Sequence, residues 1–197
     1  MANETIGFYD ANATAYASDG SVNRKLSRFL DQCTPGGTIL ELGTGSGRDA
    51  RAMLDAGFVV DATDGSAELA VIASERLGQP VRVLLFQDLA ASEAYDGIYA
   101  SASLLHVPRE QLPDVLERVW TALKPGGVVW ASFKSGNAEG HDDLGRYYNY
   151  FSAGELVQLW NAAGQWSAVS VEGWLGSGYD DKPTHWVAIS AVRRKTV

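Results

Sequence analysis

Cysteine is nearly absent from this chain: Cys33 stands alone among 197 residues. A single thiol excludes an intrachain disulfide and any zinc site built from cysteines alone. Basic residues are also few. Sixteen Lys and Arg face 24 Asp and Glu, a net charge of −8. That balance argues against a polyphosphate backbone or an anionic membrane as partner. The one basic cluster, Arg193-Arg194-Lys195, reads as a solvated tail. No apolar run approaches the ~20 residues of a membrane helix, and no signal peptide is visible. The expectation is a cytoplasmic protein that needs no metal and binds neither membrane nor nucleic acid. Repeats, low-complexity stretches and long linkers are missing too, so residues 1–197 are expected to form one domain.

What is there is an alternation of periods. The first 35 residues look helical, with Leu26, Phe29, Leu30 and Cys33 on one face and Ser21 as the expected cap. Short apolar runs then alternate with helical stripes. Strands are expected at 38–42, 58–62, 80–85, 95–100 and 128–133, and two more near 167–171 and 185–191. Helices are expected at 46–56, 66–77 and 109–123, and after the capping box Ser152-Ala153-Gly154-Glu155. This order predicts an α/β fold with parallel strands, right-handed crossovers and helices on both faces. Ligands of such sheets sit at the carboxyl ends of the strands, so chemistry is sought there.

The first strand ends in Glu41-Leu42-Gly43-Thr44-Gly45-Ser46-Gly47-Arg48. Its spacing is G-x-G-x-G. A nicotinamide or flavin fold wants G-x-G-x-x-G, whose third glycine would fall where Arg48 stands. Glycines allow a tight turn and close approach of a ligand, and the next helix offers free N–H groups to a phosphate, a carboxylate or a ribose. The second strand leads to Asp64-Gly65-Ser66. Asp64 could accept both hydroxyls of a ribose or could cap the next helix; Asp61, inside the strand, faces a neighbouring element. After the third strand, Asp88 of Gln87-Asp88-Leu89 could take an adenine amine with Leu89 flanking the ring, or could be a surface turn. His106, beyond the fourth strand, titrates near neutral pH and could act on a substrate or merely orient it. No Tyr-x-x-x-Lys pair is present to support hydride transfer.

Together these residues resemble the class I S-adenosylmethionine-dependent methyltransferases, over about residues 36–135 and most closely the small members that methylate small molecules. E-L-G-T-G-S-G, Asp64, Gln87-Asp88-Leu89, A-S-L-L-H-V and L-K-P-G-G-V stand in the family's order. Phe8-Tyr9-Asp10 and Tyr16 resemble its lid helix, placed within residues 1–35. The resemblance implies a Rossmann-like, doubly wound sheet of seven strands whose last strand, 185–191, is antiparallel. It implies that Gly43, Gly45 and Gly47, with Thr44, pass beneath the methionyl part and ribose of S-adenosylmethionine. Arg48 would pair with the cofactor carboxylate and Glu41 would stand behind the turn. Asp64, with Gly65 and Ser66, would hold the ribose. Gln87, Asp88 and Leu89 would meet the adenine, Ser101 and Ala102 the methionyl side, and Tyr16 would cover it. The N-P-P-Y tetrapeptide of amino-methylating nucleic-acid enzymes is missing after strand four.

Methyl transfer needs alignment and dryness before it needs a base. His106 is the catalytic candidate only for a nucleophile that arrives protonated. The acceptor loop is expected at 134–151, with Lys134, Arg146 and Tyr148 meeting a small molecule that carries an anion. Competing readings are a nicotinamide oxidoreductase, a cofactor-binding domain without activity, and aminopropyl transfer.

Overall fold

Period-2 alternation organises the centre of this molecule. In the computed structural model, which describes residues 2–18, 20–179 and 182–195, neighbouring residues of the central strands serve opposite faces. Leu40, Ile98 and Val129 point to one hydrophobic core, and Ile39, Tyr99 and Val128 to the other. Each face is therefore covered by helices. Met1 and Asp19 of the expected lid, and Asp180, Asp181, Thr196 and Val197 of the expected domain, lie outside the described residues.

The strands are β1 (Thr38–Leu42), β2 (Val59–Asp64), β3 (Arg82–Val83), β4 (Tyr95–Ala100), β5 (Leu123–Lys134), β6 (Glu139–His141), β7 (Tyr147–Asn149), β8 (Trp166–Ser177) and β9 (Pro183–Arg193). Seven of them form one sheet in the order β3-β2-β1-β4-β5-β9-β8. β1 to β5 run parallel, and β9 slots between β5 and β8 antiparallel to both. This is the Rossmann-like α/β sheet that the resemblance implied, with 185–191 inside its antiparallel strand.

The helices are α1 (Ala2–Ala11), α2 (Ala13–Ser18), α3 (Leu26–Leu30), α4 (Arg48–Asp55), α5 (Ala67–Leu77), α6 (Leu112–Ala122) and α7 (Ala153–Ala163). One core packs α6 and α7 on the sheet through Leu116, Val119 and Trp160. The other packs α3, α4 and α5 through Phe29, Met53 and Ala73. The capping box at Ser152 forms as expected: Ser152 N–H donates to Glu155 at 2.9 Å and Glu155 N–H to the Ser152 hydroxyl at 3.3 Å. Asp61 faces sideways, accepting from Arg82 and from the Tyr95 hydroxyl.

Four expectations change. Arg193, expected in a solvated tail, ends β9 and is buried, donating to the Leu123 carbonyl and to Glu93. The helix before Cys33 shrinks to α3, which starts after Lys25 with no side-chain cap and not at Ser21; Asn23 accepts from Lys25 N–H at 2.9 Å in the turn that leads into it. Cys33 remains a buried core residue. The expected third strand, 80–85, is reduced to Arg82–Val83. It lies at the sheet edge: beyond Val83 there is no ladder to join because β2 ends at Asp64, and before Arg82, Pro80 has no N–H and Val81 N–H donates to the Ser74 hydroxyl at 2.9 Å. The expected acceptor loop, 134–151, carries the β6–β7 hairpin, whose turn places Gly145 at φ +77°.

Phe133, Phe151 and Trp160 are fully buried with ring centres 5.4 and 6.0 Å from Phe133. Phe133→Ala should cost about 3–5 kcal/mol. The measurement is urea unfolding, with a lower midpoint and an unchanged slope expected.

Candidate functional site

The turn after β1 lies over the end of β2. Gly43 N–H and Thr44 N–H donate to the Thr63 carbonyl at 3.0 and 2.8 Å, and Gly45 N–H donates to the Asp64 carboxylate at 2.8 Å. The other Asp64 oxygen accepts from Ser66 N–H at 2.9 Å. Gly43 sits at φ +77°, and a Cβ there would stand 2.5 Å from the Ser103 side chain. A side chain on Gly45 would meet the Tyr16 ring at 3.2 Å. Only glycine keeps this turn open.

Two cavities meet at the turn. The first has an empty volume of about 830 Å³ and lies over Asp64, Gly65 and Ser66, between the lid and the end of β3. Ile6, Leu69, Leu84, Leu85 and Phe86 give it apolar walls suited to a flat ring. The second runs outward past Glu41, Thr44, Arg48 and Asp49 to Lys134, Arg146 and Tyr148. Tyr9, Tyr16, Gly43, Gly45, Ser101, Ala102 and His106 line both.

Most of the expected cofactor residues therefore gather in one place, but Gly47, Asp88 and Leu89 line neither cavity, and Arg48, which lines the second, is also tied to the lid. Asp88 is exposed and lines neither cavity, while Gln87 lines the first. Leu89 is buried in the core, and its carbonyl accepts from Arg118 at 3.1 Å. The 3-10 turn Phe86–Asp88, just beyond the expected third strand, turns this segment. Phe86 consequently meets the cavity where Asp88 was expected. Gly47 starts α4 and packs against Ala73 of α5 without lining a cavity. Arg48 reaches back to the lid, donating to the Ala17 carbonyl at 2.6 Å and to the Ser46 hydroxyl at 2.7 Å.

Sequence reasoning missed the residues that close the lid. The Ser66 hydroxyl donates to Asp10 at 2.6 Å, and Tyr147 N–H donates to the Thr5 hydroxyl at 2.9 Å. It also missed Asp49, held by Asn23 N–H and the Tyr99 hydroxyl at 2.9 and 3.1 Å. No local pattern announces these contacts; the run Leu84-Leu85-Phe86 was the one visible signal for the apolar wall.

The acids of this site are held neutral more readily than in water. Burial pushes Glu41 up to about 8, against the Thr44 hydroxyl bond that lowers it. Burial likewise raises Asp64 to about 6, opposed by the N–H groups of Ser66 and Gly45. Glu41 and Asp49 line the second cavity, and no ion pair to either is seen among the described residues.

His106 Nδ1 lies 2.6 Å from the Tyr147 carbonyl, so that nitrogen must carry the proton. Nε2 then accepts from the Tyr9 hydroxyl at 3.0 Å. Burial, aided by the charges of Arg146 and Lys134, lowers its pKa from 6.5 to about 4. As it stands, His106 is neutral at pH 7, a weak base, and occupied by Tyr9. Lys134 Nζ lies 3.9 Å from the centre of the Tyr148 ring, and Arg146 is ion-paired with Asp142 at 2.7 Å. Among the described residues no cluster of three His, Cys, Asp or Glu could hold a metal ion. No described helix is long and apolar enough to cross a membrane.

Residues 13–165 match the family model described as a methyltransferase domain. The chain belongs to the S-adenosylmethionine-dependent methyltransferase family. It is 29% identical over 119 residues to an uncharacterized methyltransferase of Staphylococcus carnosus, covering 59% of this chain and 56% of that protein. It is 28% identical over 138 residues to phosphoethanolamine N-methyltransferase 2 of Caenorhabditis elegans, covering 64% of this chain and 30% of that protein. The chain thus spans about half the length of the first relative and under a third of the second. A solved structure with the same fold is the 1,6-didemethyltoxoflavin N1-methyltransferase of Burkholderia thailandensis, with bound 1,6-didemethyltoxoflavin and S-adenosylhomocysteine. It superposes with a TM-score of 0.67 at 21% identity, covering 98% of this chain and 83% of that one. The family's cofactor, S-adenosylmethionine, fits the residues present. The glycine cradle would be filled by any Cβ, and the apolar walls suit a flat ring.

Because Glu41 is neutral in the folded methyltransferase and ionised when unfolded between about pH 4.5 and 8, its contribution to stability falls as pH rises through that window. Glu41→Gln should flatten this decline, measured by urea unfolding at stepped pH.

Proposed function

We propose that the protein transfers the methyl group of S-adenosylmethionine to a small molecule bound in the second cavity. The observation that carries this reading is the meeting of the two cavities at Gly43, Gly45, Ser101 and Ala102. One cavity suits an adenosyl group and the other opens toward polar and aromatic side chains. One relative is named for a small acceptor, phosphoethanolamine, and a protein of the same fold for another, 1,6-didemethyltoxoflavin. A net charge of −8 also favours a small acceptor over nucleic acid.

Asp64 would hold the ribose, Gln87 the adenine edge, and Glu41 and Asp49 the cationic methionyl end. Bound there, S-adenosylmethionine would supply a methyl group that its sulfonium already makes electrophilic. The chain's own part is to align the acceptor atom at about 3–3.5 Å in line with the bond that breaks, worth ~7–11 kcal/mol in favourable cases. The lid, latched through Asp10, Thr5 and Tyr9, excludes water from that contact. Lys134, Arg146 and Tyr148 would form the acceptor wall. His106 acts through Tyr9, whose ring it holds where the cavities meet. It becomes a base only for an acceptor that displaces the Tyr9 hydroxyl from Nε2.

S-adenosylhomocysteine should raise the melting temperature and NAD should not; at 100 times Kd the ligand stabilises by ~2.7 kcal/mol. Stabilisation by NAD alone would favour an oxidoreductase. Incubation with labelled cofactor and cell extract, followed by mass spectrometry, would reveal the acceptor. Cofactor binding with no methylated product would favour a binding domain without activity.

Tyr9→Phe and His106→Ala should lower turnover of that acceptor by similar factors, and the double variant by no more than either single one. Independent, multiplying losses would separate His106 from Tyr9.

A further inference from the structure

The second cavity is chemically polarised. Glu41 and Asp49 stand on its inner wall, at the glycine turn, and Lys134 and Arg146 on its outer wall, from β5 and the β6–β7 hairpin. Arg146 follows a hairpin turn, where an arginine normally extends into solvent, yet it is 2% exposed. Its guanidinium carbon lies 5.0 Å from the ring centre of Phe8, 5.3 Å from Tyr148 and 5.0 Å from Tyr179. These rings come from α1, from β7 and from the turn between β8 and β9. Tyr179 also stacks on Tyr16 of α2, with ring centres 5.4 Å apart.

Aromatic faces gathered in this way suit an alkylammonium ligand. Here the protein's own cation already occupies the place. A purely cationic acceptor would meet a like charge in a site shielded from water, where the repulsion is weakly screened. Asp142 accompanies the guanidinium from one side: Nε and Nη2 reach the same carboxylate oxygen at 3.0 and 2.7 Å. The other Asp142 oxygen is engaged by the N–H groups of Leu144 and Arg146 at 3.0 and 2.9 Å. Asp142 is thus committed to the turn and holds Arg146 in place. Lys134 brings a second cation to the same Tyr148 ring. Both cations also act on His106, which marks them as neighbours of the point where the cavities meet. Asp142 takes the Nε edge of the guanidinium, so Nη1 and the second hydrogen of Nη2, beside Tyr9, are what remains to receive an oxyanion, already held in place before it binds.

The geometry points to an acceptor that carries an oxyanion, a carboxylate or a phosphate, received by Arg146 and Lys134 on the outer wall. Its nucleophile then faces inward, toward His106 and Ser101. Arg146 is the residue that sets the substrate class, admitting anions and turning away alkylammonium ions that carry no anion. This rests on the reading of the second cavity as the acceptor's.

The test uses inorganic phosphate, acetate and tetramethylammonium as probes, at constant ionic strength set with sodium chloride. Each is titrated by calorimetry into the whole chain, with and without saturating S-adenosylhomocysteine. Phosphate or acetate should bind and tetramethylammonium should not; the tighter of the two anions distinguishes phosphate from carboxylate. Arg146→Gln and Lys134→Gln should each weaken the anion at least tenfold, and Arg146→Lys by less, while S-adenosylhomocysteine affinity stays within twofold. If Arg146→Gln fails to fold, Lys134→Gln and Arg146→Lys still decide.

The proposal is overturned if neither anion binds, if tetramethylammonium binds more tightly than both, or if the folded variants bind the anion as the native chain does. Loss of S-adenosylhomocysteine binding in the native chain would instead bring down the methyltransferase reading, and the anion titrations without it would still report on Arg146 and Lys134.

Discussion

One carboxylate ties this molecule's parts together. Asp64 accepts Gly45 N–H with one oxygen and Ser66 N–H with the other. The first bond fixes the glycine turn over the end of β2, and the second sets the start of α5. Ser66 passes the constraint onward, capping α5 with its hydroxyl oxygen and donating its proton to Asp10 of the lid. A buried carboxylate would be costly alone, but charge-assisted bonds from backbone N–H groups offset the loss of water. Turn, helix and lid therefore share one anchor, and the cavity beside it inherits their geometry.

The second consequence is a division of charge within a single opening. Glu41 and Asp49 line the end near the glycine turn, where burial makes them reluctant to ionise without a cation nearby. Basic side chains line the end near the β6–β7 hairpin, held by aromatic faces and by Asp142. Between them stands His106, with both ring nitrogens occupied, neutral because of its burial and its cationic neighbours. A histidine so placed does better at holding Tyr9 than at moving protons. The lid adds the dryness that makes these charges effective, with Arg48 and Arg76 both reaching the Ala17 carbonyl at the end of α2.

Local patterns predicted local outcomes well. The strand 95–100, the capping box at Ser152 and Glu155, and the core position of Cys33 all stand where residue spacing placed them, whereas the cap of α5 is Ser66 and not Asp64. The glycine turn was equally readable, because positive φ and absent Cβ atoms depend on neighbours in sequence. The failures lie where a long-range partner decides. The third strand ends early because β2 ends at Asp64. Asp88 is turned outward by a 3-10 turn, and Arg48 prefers a carbonyl 31 residues away in the lid. The segment 134–151 reads as a polar loop, since pairing of Glu139–His141 with Tyr147–Asn149 leaves no strong alternation over three residues.

The sequence by itself determined the order of the strands and helices of the main sheet, the turn at Gly43 to Gly47, and the acid at the end of β2. Each depends on backbone preferences and apolar spacing within a few residues. Tertiary structure alone decided which side chains face the cavities, that Tyr9 occupies His106, and that Arg146 is enclosed by rings from three separate elements. Those outcomes require residues as far apart as Phe8, Arg146 and Tyr179 to meet. Only packing of the completed sheet against its lid and hairpins brings such residues within contact distance.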